Sequence, residues 1–332
     1  MKIGKLPESV LSRSVFKKLH TKRPEVVVGP GEGEDCAAVA VGADEIMVMT
    51  TDPITGTSQD IGKLAVNITV NDLASAGAEP VGIMLTILLT PRDREIRLKE
   101  IMDQVDEACK KYNIQVMGGH TEVTEAVNQI LVSVTGVGKV KKDKMIKTGG
   151  AVPGMDIVLT KWIGLEGTSI IAKEHREELL TRLPSGLIDT AVKFDELISV
   201  LPESRIAVEH GVGAMHDVTE GGVYGALWEM GSASSCGVTV DLKAIPVRQE
   251  TIEVCEFFGI NPYELISSGS MLIACNDGAG LVDKLAAADI PATVIGRVCE
   301  GNDRVVISGE EKRFLEPPKS DALYSVGNKE ES

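Results

Sequence analysis

The stretch Asp60-Ile61-Gly62-Lys63-Leu64-Ala65-Val66-Asn67-Ile68-Thr69-Val70-Asn71-Asp72-Leu73-Ala74-Ser75-Ala76-Gly77-Ala78-Glu79-Pro80 decides the fold, and it carries two periodicities at once. Val66, Ile68 and Val70 alternate as in a half-buried strand, whereas Leu64–Ile68 and Asn67–Asn71 stand four apart as on a helix. Spacing alone leaves both readings open. Upstream, Glu45 to Thr51 is short and rich in methionine and valine, and Asp52-Pro53 follows it. It reads as a buried strand that stops at the aspartate, since proline cannot donate to a central ladder. Downstream, Pro91 to Tyr112 reads as a helix with Thr90 as N-cap and proline at the first position. Ile101, Val105, Ala108, Cys109 and Tyr112 then recur on one face. Ile130 to Val140 alternates with period two and reads as a strand.

A glycine–proline cluster, Thr148 to Gly154, marks a boundary between apolar strands. With 332 residues, the chain is expected to form two domains, 1–150 and 151–315, with a flexible tail at 316–332 that is too polar and proline-rich to pack. Gly222 to Ser234 reads as a helix, and Asp277 as the N-cap of another. Strands alternate with long helices in both halves, an α/β plus α+β pattern.

A net charge of −15 disfavours nucleic acid and anionic lipid as partners. The one basic cluster, Lys139, Lys141, Lys142, Lys144 and Lys147, reads as a solvated loop or strand end. No signal peptide or membrane-spanning run is expected, which suits a cytoplasmic protein. Six scattered cysteines without a Cys-x-x-Cys pair fit neither a zinc site nor a disulfide framework. They read as small buried hydrophobes.

Four aspartates stand out at strand ends or glycine-rich turns: Asp35, Asp52, Asp72 and Asp217. Magnesium takes hard oxygen ligands, commonly one or two carboxylates together with substrate phosphates. A lone aspartate at a turn is more often a cap, the reading given to Asp60. Gly29-Pro30-Gly31-Glu32-Gly33 matches neither a Walker nor a dinucleotide motif and reads equally as a phosphate-covering loop or a surface turn. In Thr219-Glu220-Gly221-Gly222, glycines that open a helix leave N–H groups for an anion, the alternative being close helix packing. Gly118-Gly119-His120-Thr121-Glu122 sets an imidazole, a hydroxyl and a carboxylate beside two glycines that permit close ligand approach. His20, His175 and His210 read as structural, while His120 and His216 are singled out by their neighbours.

Together these strings resemble the superfamily of aminoimidazole ribonucleotide (AIR) synthetase, selenophosphate synthetase, thiamine monophosphate kinase and the hydrogenase maturation factor HypE, with HypE the nearest in pattern. The resemblance runs from about Gly4 to Gly309, strongest at Asp60–Ala74 with Gly77-Ala78-Glu79-Pro80, and at Met215–Val223 with Gly225-Ala226-Leu227. It favours the helix for Lys63 to Ala78. It implies a two-domain AIR synthase-like fold whose N-terminal sheet pairs across a homodimer. It further implies ATP lying between the domains, and magnesium held by Asp35, Asp52, Asp72 and Asp217. Nucleotide contacts would come from Asn71, Gly118, Gly119, Thr121, Thr219, Gly221 and Gly222, and catalytic roles would fall to Asp217, Glu220 and His120.

Three departures bear on the reaction. The sequence ends without the Pro-Arg-Ile-Cys tail of HypE; Gly119-His120-Thr121-Glu122-Val123 stands where HypE has Gly-Asp-Thr-Lys-Val; and Gly164-Leu165-Glu166-Gly167 replaces Gly-Asp-His-Gly. The expectation is an ATP-dependent enzyme that phosphorylates an amide or carbamoyl oxygen of a small or protein-borne substrate, with a maturation partner protein as a further candidate. AIR synthetase activity, thiamine monophosphate kinase activity and a non-catalytic nucleotide-binding role are the alternatives.

Overall fold

The computed structural model describes residues 4–5, 10, 13–28, 38–54, 59–317 and 320–326. Asp35, Cys36 and the Gly29–Gly33 run lie outside them. The chain divides into two compact units, Met1–Met145 and Ile146–Ser332.

In the first unit the strands are β1 (Gly4–Lys5), β2 (Val26–Val28), β3 (Ala38–Val39), β4 (Glu45–Ile54), β5 (Glu79–Leu89), β6 (Gln115–Val123) and β7 (Leu131–Lys141). Helix α1 (Ile61–Ser75) precedes β5, and α2 (Glu95–Tyr112) joins β5 to β6. The main sheet runs β1-β6-β5-β7-β4, with β2 and β3 paired separately. Only β5 and β6 are parallel, as a crossover through α2 requires. Central β5 is apolar nearly throughout, with Val81, Ile83, Ile87 and Leu89 all buried.

The ambiguous stretch is a helix. Its strand-like alternation arises because α1 is covered on almost every side, so apolar residues fall at both spacings. Its buried polar groups are satisfied within the turn: Thr69 Oγ1 donates to Ala65 O at 2.9 Å and Asn67 Nδ2 to Lys63 O at 2.7 Å. Tyr112 Oη on α2 donates to Asn67 Oδ1. Fully buried Leu73, Leu98 and Ile101 each contribute about 1.5–3 kcal/mol of burial to this layer.

Two boundaries differ from the sequence expectation. Strand β4 does not stop at Asp52; it continues through Pro53 to Ile54, paired with β7 as far as Val132. Proline is accommodated there because β4 is an edge strand. The helix expected from Pro91 begins at Glu95. The Asp93 carboxylate takes the N–H and hydroxyl of Thr90, both at 2.7 Å, and closes a turn over Pro91-Arg92.

In the second unit, β8 (Asp156–Thr160), β9 (Ala214–Asp217), β10 (Gly237–Asp241), β11 (Met271–Cys275), β12 (Ala292–Cys299), β13 (Arg304–Ser308) and β14 (Glu311–Phe314) form one sheet in the order β14-β13-β10-β12-β8-β11-β9. The helices are α3 (Leu165–Glu174), α4 (Arg176–Leu179), α5 (Ser185–Val192), α6 (Leu201–His210), α7 (Gly222–Ala233), α8 (Gln249–Phe258) and α9 (Gly278–Ala286). Val223, Leu227 and Met230 of α7 pack on Ile157, Leu159, Val238 and Leu272 of the sheet. A second cluster gathers Ile171, Leu179, Ile188 and Val254 around Leu265. Asp277 caps α9 as expected, its carboxylate accepting from Gly280 N at 2.9 Å.

The tail is not wholly loose. Within 320–326, Asp321 is 3% exposed and a short 3-10 turn forms over Ala322–Ser325. Four of the five described cysteines are buried, and burial pushes the Cys109 and Cys255 thiols up to about 12. Lys139 departs from the solvated reading: it donates to Glu25 at 2.7 Å inside an ion-pair group that includes Arg23, Glu45 and Glu79. No helix among the described residues is long and apolar enough to cross a membrane.

Candidate functional site

Alternation along β4 turns Val48, Thr50 and Asp52 toward the helix-covered side of the sheet, while Met47, Met49 and Thr51 are exposed. On α1, Asp72 meets this row. Thr50 Oγ1 donates to Asp72 Oδ2 at 2.5 Å and stands 3.4 Å from Asp52 Oδ2. One hydroxyl thus brings together two of the four aspartates singled out in the sequence. Like charges held this close repel, and a divalent cation between hard oxygens offsets that repulsion. The donor set fits magnesium. Among the described residues there is no group of three or more histidine, cysteine, aspartate or glutamate side chains able to hold a metal ion, so the described cluster is this pair.

Asn71, beside Asp72, is fully buried. The Gly118–Glu122 run lies within β6 rather than after a strand. Gly119 has φ +150°, and a Cβ there would stand 2.0 Å from Leu85 O on β5. Its glycine is therefore demanded by the neighbouring strand, not by a ligand. Gly118 is different: a Cβ would meet only Met84 Sδ, at 3.9 Å, so space lies open above it. Thr121 is buried. The exposed His120 has Nε2 3.2 Å from Glu122 Oε2, so the two departures from the HypE pattern face each other.

In the second unit, a run that the sequence reading passed over organises the site. Ser267, Ser268 and Ser270 are all fully buried between α8 and β11. Ser267 Oγ accepts from Gly164 N at 2.6 Å, Ser270 Oγ donates to Trp162 O at 2.5 Å, and Ser270 O accepts from Val218 N at 3.0 Å. These bonds tie the end of β8, the start of α3 and the end of β9 into one place. Small polar residues crowded ahead of an apolar strand were the available signal.

Asp217 closes β9 and is buried. The turn beyond it has Gly221 at φ +79° and Gly222 at +61°, left-handed geometry that glycine adopts freely, and α7 starts there. Thr219 O accepts from Gly222 N at 3.1 Å. The helix N-terminus expected to meet an anion already holds one from the chain itself: Gly221 N donates to Asp321 Oδ2 at 2.8 Å. Ile266 N and Leu323 N donate to Asp321 Oδ1 at 3.2 and 2.8 Å. Glu220 accepts from Tyr324 Oη at 2.7 Å.

Glu166, in the first turn of α3, is 3% exposed. Burial pushes its carboxyl up to about 7, contacts from Ser268 oppose this, and the charges of Asp321 and Glu220 add to it. Its Oε2 has no hydrogen-bond partner. Sequence reading noted this position only as a departure. His216, in contrast, is 2.9 Å from Glu229 Oε2 on α7, a link between strand and helix. His20, His175 and His210 make structural contacts with Asp106, Phe258 and the Asp277 carbonyl.

The family model described as AIR synthase related protein, N-terminal domain, matches residues 33–140, and that of the C-terminal domain matches 152–308. The chain belongs to the AIR synthase related family. Carbamoyl dehydratase HypE of Cupriavidus necator is 33% identical over 264 residues, 77% of this chain and 72% of that protein. A solved structure of hydrogenase maturation protein HypE in complex with ATP superposes with a TM-score of 0.80 at 20% identity, covering 96% of this chain and 97% of that one. The HypE chain of a HypE–HypF complex gives a TM-score of 0.72 at 24% identity, covering 82% and 90%. At these identities the solved structures establish the fold: a two-domain AIR synthase-like architecture of the HypE kind.

Proposed function

We propose that this family member is a HypE-like enzyme that uses ATP and magnesium to phosphorylate an amide or carbamoyl oxygen. The Thr50 hydroxyl shared by Asp52 and Asp72 is the observation that carries this reading, because it gathers hard carboxylate oxygens in the family's most specific motif. Magnesium bound there supplies charge stabilisation to the transferring phosphoryl group. Asp52 and Asp72 hold the cation on the helix-covered face of the sheet, while Gly118 opens onto the opposite face beside Met84. Phosphorylation makes the amide oxygen a leaving group; its departure as phosphate, with loss of both protons from the amide nitrogen, leaves a nitrile, a net dehydration of the kind named for the Cupriavidus relative.

In the second unit, Asp217, Thr219, Glu220 and the Gly221–Gly222 turn, to which the resemblance gives metal, catalytic and nucleotide roles, are here assigned to the acceptor substrate, because the carboxylate of Asp321 already sits on Gly221 N. The HypE–HypF complex supports a maturation partner protein. The exposed apolar face of the first sheet, where Met47, Met49 and Met84 lie together, supports a homodimer through that sheet.

The test is ADP release from magnesium-ATP with a panel of primary amides and carbamoylated peptides, and thiamine monophosphate as a control. ADP formed only with magnesium and an amide or carbamoyl acceptor supports the reading. ADP formed with thiamine monophosphate instead overturns the acceptor class, and none under any condition overturns the reading.

A further inference from the structure

The Asp321 carboxylate sits where the sequence places an external ligand. Two N–H groups from separate loops, Gly221 and Ile266, converge on it, while Leu323 N ties it into its own short turn. Tyr324 holds Glu220 beside it. The position is acidic and dry. Burial raises the carboxyl of Asp321, and the charge of Glu220 adds to that. The two N–H groups meet different oxygens, Oδ2 and Oδ1, so a carboxylate replaces both contacts, whereas a neutral carbonyl oxygen takes one of them without this cost. Glu166 belongs to the same buried acidic group: its Oε2 has no hydrogen-bond partner and the charges of Asp321 and Glu220 reach it.

The contacts that hold the segment are of a kind that can be exchanged. Ala322, Leu323 and Val326 pack only as partly buried residues against the Leu265 cluster, and Tyr324 is 52% exposed. A cavity of about 310 Å³ adjoins the turn, lined by Gly221, Tyr224, Asn261, Arg313 and Ser320, so the segment has a wall of open space on one side.

We propose that segment 320–326 is an intrasteric strap: Asp321 fills the acceptor position that a substrate's carbonyl or carboxylate oxygen takes at the Gly221 turn, so strap and substrate exclude one another. This deepens the assignment of the turn to the acceptor substrate and rests on it. Its test reads neither nucleotide nor turnover, so it stands or falls separately from the ATP reading.

The experiment is hydrogen exchange on the full chain, parent against Asp321→Ala, Asp321→Asn and Tyr324→Phe, with and without acetamide or acetate as probes. In Asp321→Ala, the amides of Gly221 and Ile266 are expected to exchange at least tenfold faster while the sheet stays protected. Acetate is expected to restore protection of both amides in that variant and acetamide of at least one, and both probes to leave the parent unchanged. Restoration by acetate alone would make the ligand oxygen a carboxylate's, and by acetamide alone an amide's. Asp321→Asn keeps one of the two accepting oxygens and should fall between the parent and Asp321→Ala; Tyr324→Phe should speed exchange in 320–326 severalfold. The strap is overturned if Asp321→Ala leaves both amides protected or if neither probe re-protects them. Loss of protection throughout the unit also overturns it, since a strap must come off a folded domain.

Discussion

Gly221 N donates to Asp321 Oδ2 at 2.8 Å across one hundred residues of chain, and this bond places the C-terminal segment on the glycine turn of the family motif. In this left-handed turn Gly222 N bonds back to Thr219 O, while Gly221 N meets an acceptor from the chain's own C-terminal segment. The consequences reach beyond this contact, because Glu166 feels the same charge.

Glu166 makes stability depend on pH in a defined direction. Its carboxyl is raised from the ordinary 4.5 to about 7 in the folded chain, so the folded state binds the proton more tightly. Its contribution is full below about 4.5 and is lost as pH rises through about 7. The difference, 7 − 4.5, at 1.36 kcal/mol per unit, is on the order of 3 kcal/mol. Glu166→Gln is therefore expected to melt several degrees higher than the parent at pH 8 and to lose that advantage near pH 4.5. Melting curves of both proteins across this range are the check, and a gap that does not change with pH contradicts the assignment.

Glycine is required at one of the paired glycines in β6 and not at the other. Gly119→Ala forces a Cβ against Leu85 O at positive φ and is expected to cost at least about 2 kcal/mol. Gly118→Ala meets open space and should stay within about 1 kcal/mol of the parent. Gly118 opens onto the Met84 face, opposite Asp52 and Asp72, so this variant should also leave magnesium-ATP binding within about twofold of the parent. Denaturant midpoints and an ATP titration separate the two.

Exposed Met49, at 60%, lies in an apolar row with Met47 and, through Thr51 and Thr135, Met84. Met49→Glu adds a charge to that face, which a dimer interface would have to desolvate. Light scattering should give twice the chain mass for the parent and the single mass for the variant. A parent that is already monomeric ends the dimer proposal.

What could be read in the sequence follows how local each cause is. Asp52 could be singled out because it follows a short apolar strand, and Asp72 because its motif is distinctive; Thr50, whose hydroxyl joins them, could not. Helix α1 could not be assigned from pattern, since burial on all sides erases the amphipathic signal that separates helix from strand. The extension of β4 through Pro53 depended on which strand ends up at the sheet edge, a tertiary fact. Glu166 and Asp321 were hidden for the same reason. Each is buried by residues far away in sequence, Ser268 for the first, Gly221 and Ile266 for the second. The polar composition of the tail argued against packing, yet one aspartate with three N–H donors anchors it.

The most direct test of the account is a titration of magnesium-ATP into the parent and into Asp72→Asn, with Thr50→Val alongside. The Asp72 carboxylate is proposed as a magnesium ligand beside Asp52, so its loss is expected to weaken magnesium-dependent ATP binding at least tenfold, about 1.4 kcal/mol or more. Thr50→Val, which frees the two carboxylates from their shared hydroxyl, should weaken it less. Equal affinity in the parent and Asp72→Asn, with both folded, would contradict the metal site and with it the proposed chemistry.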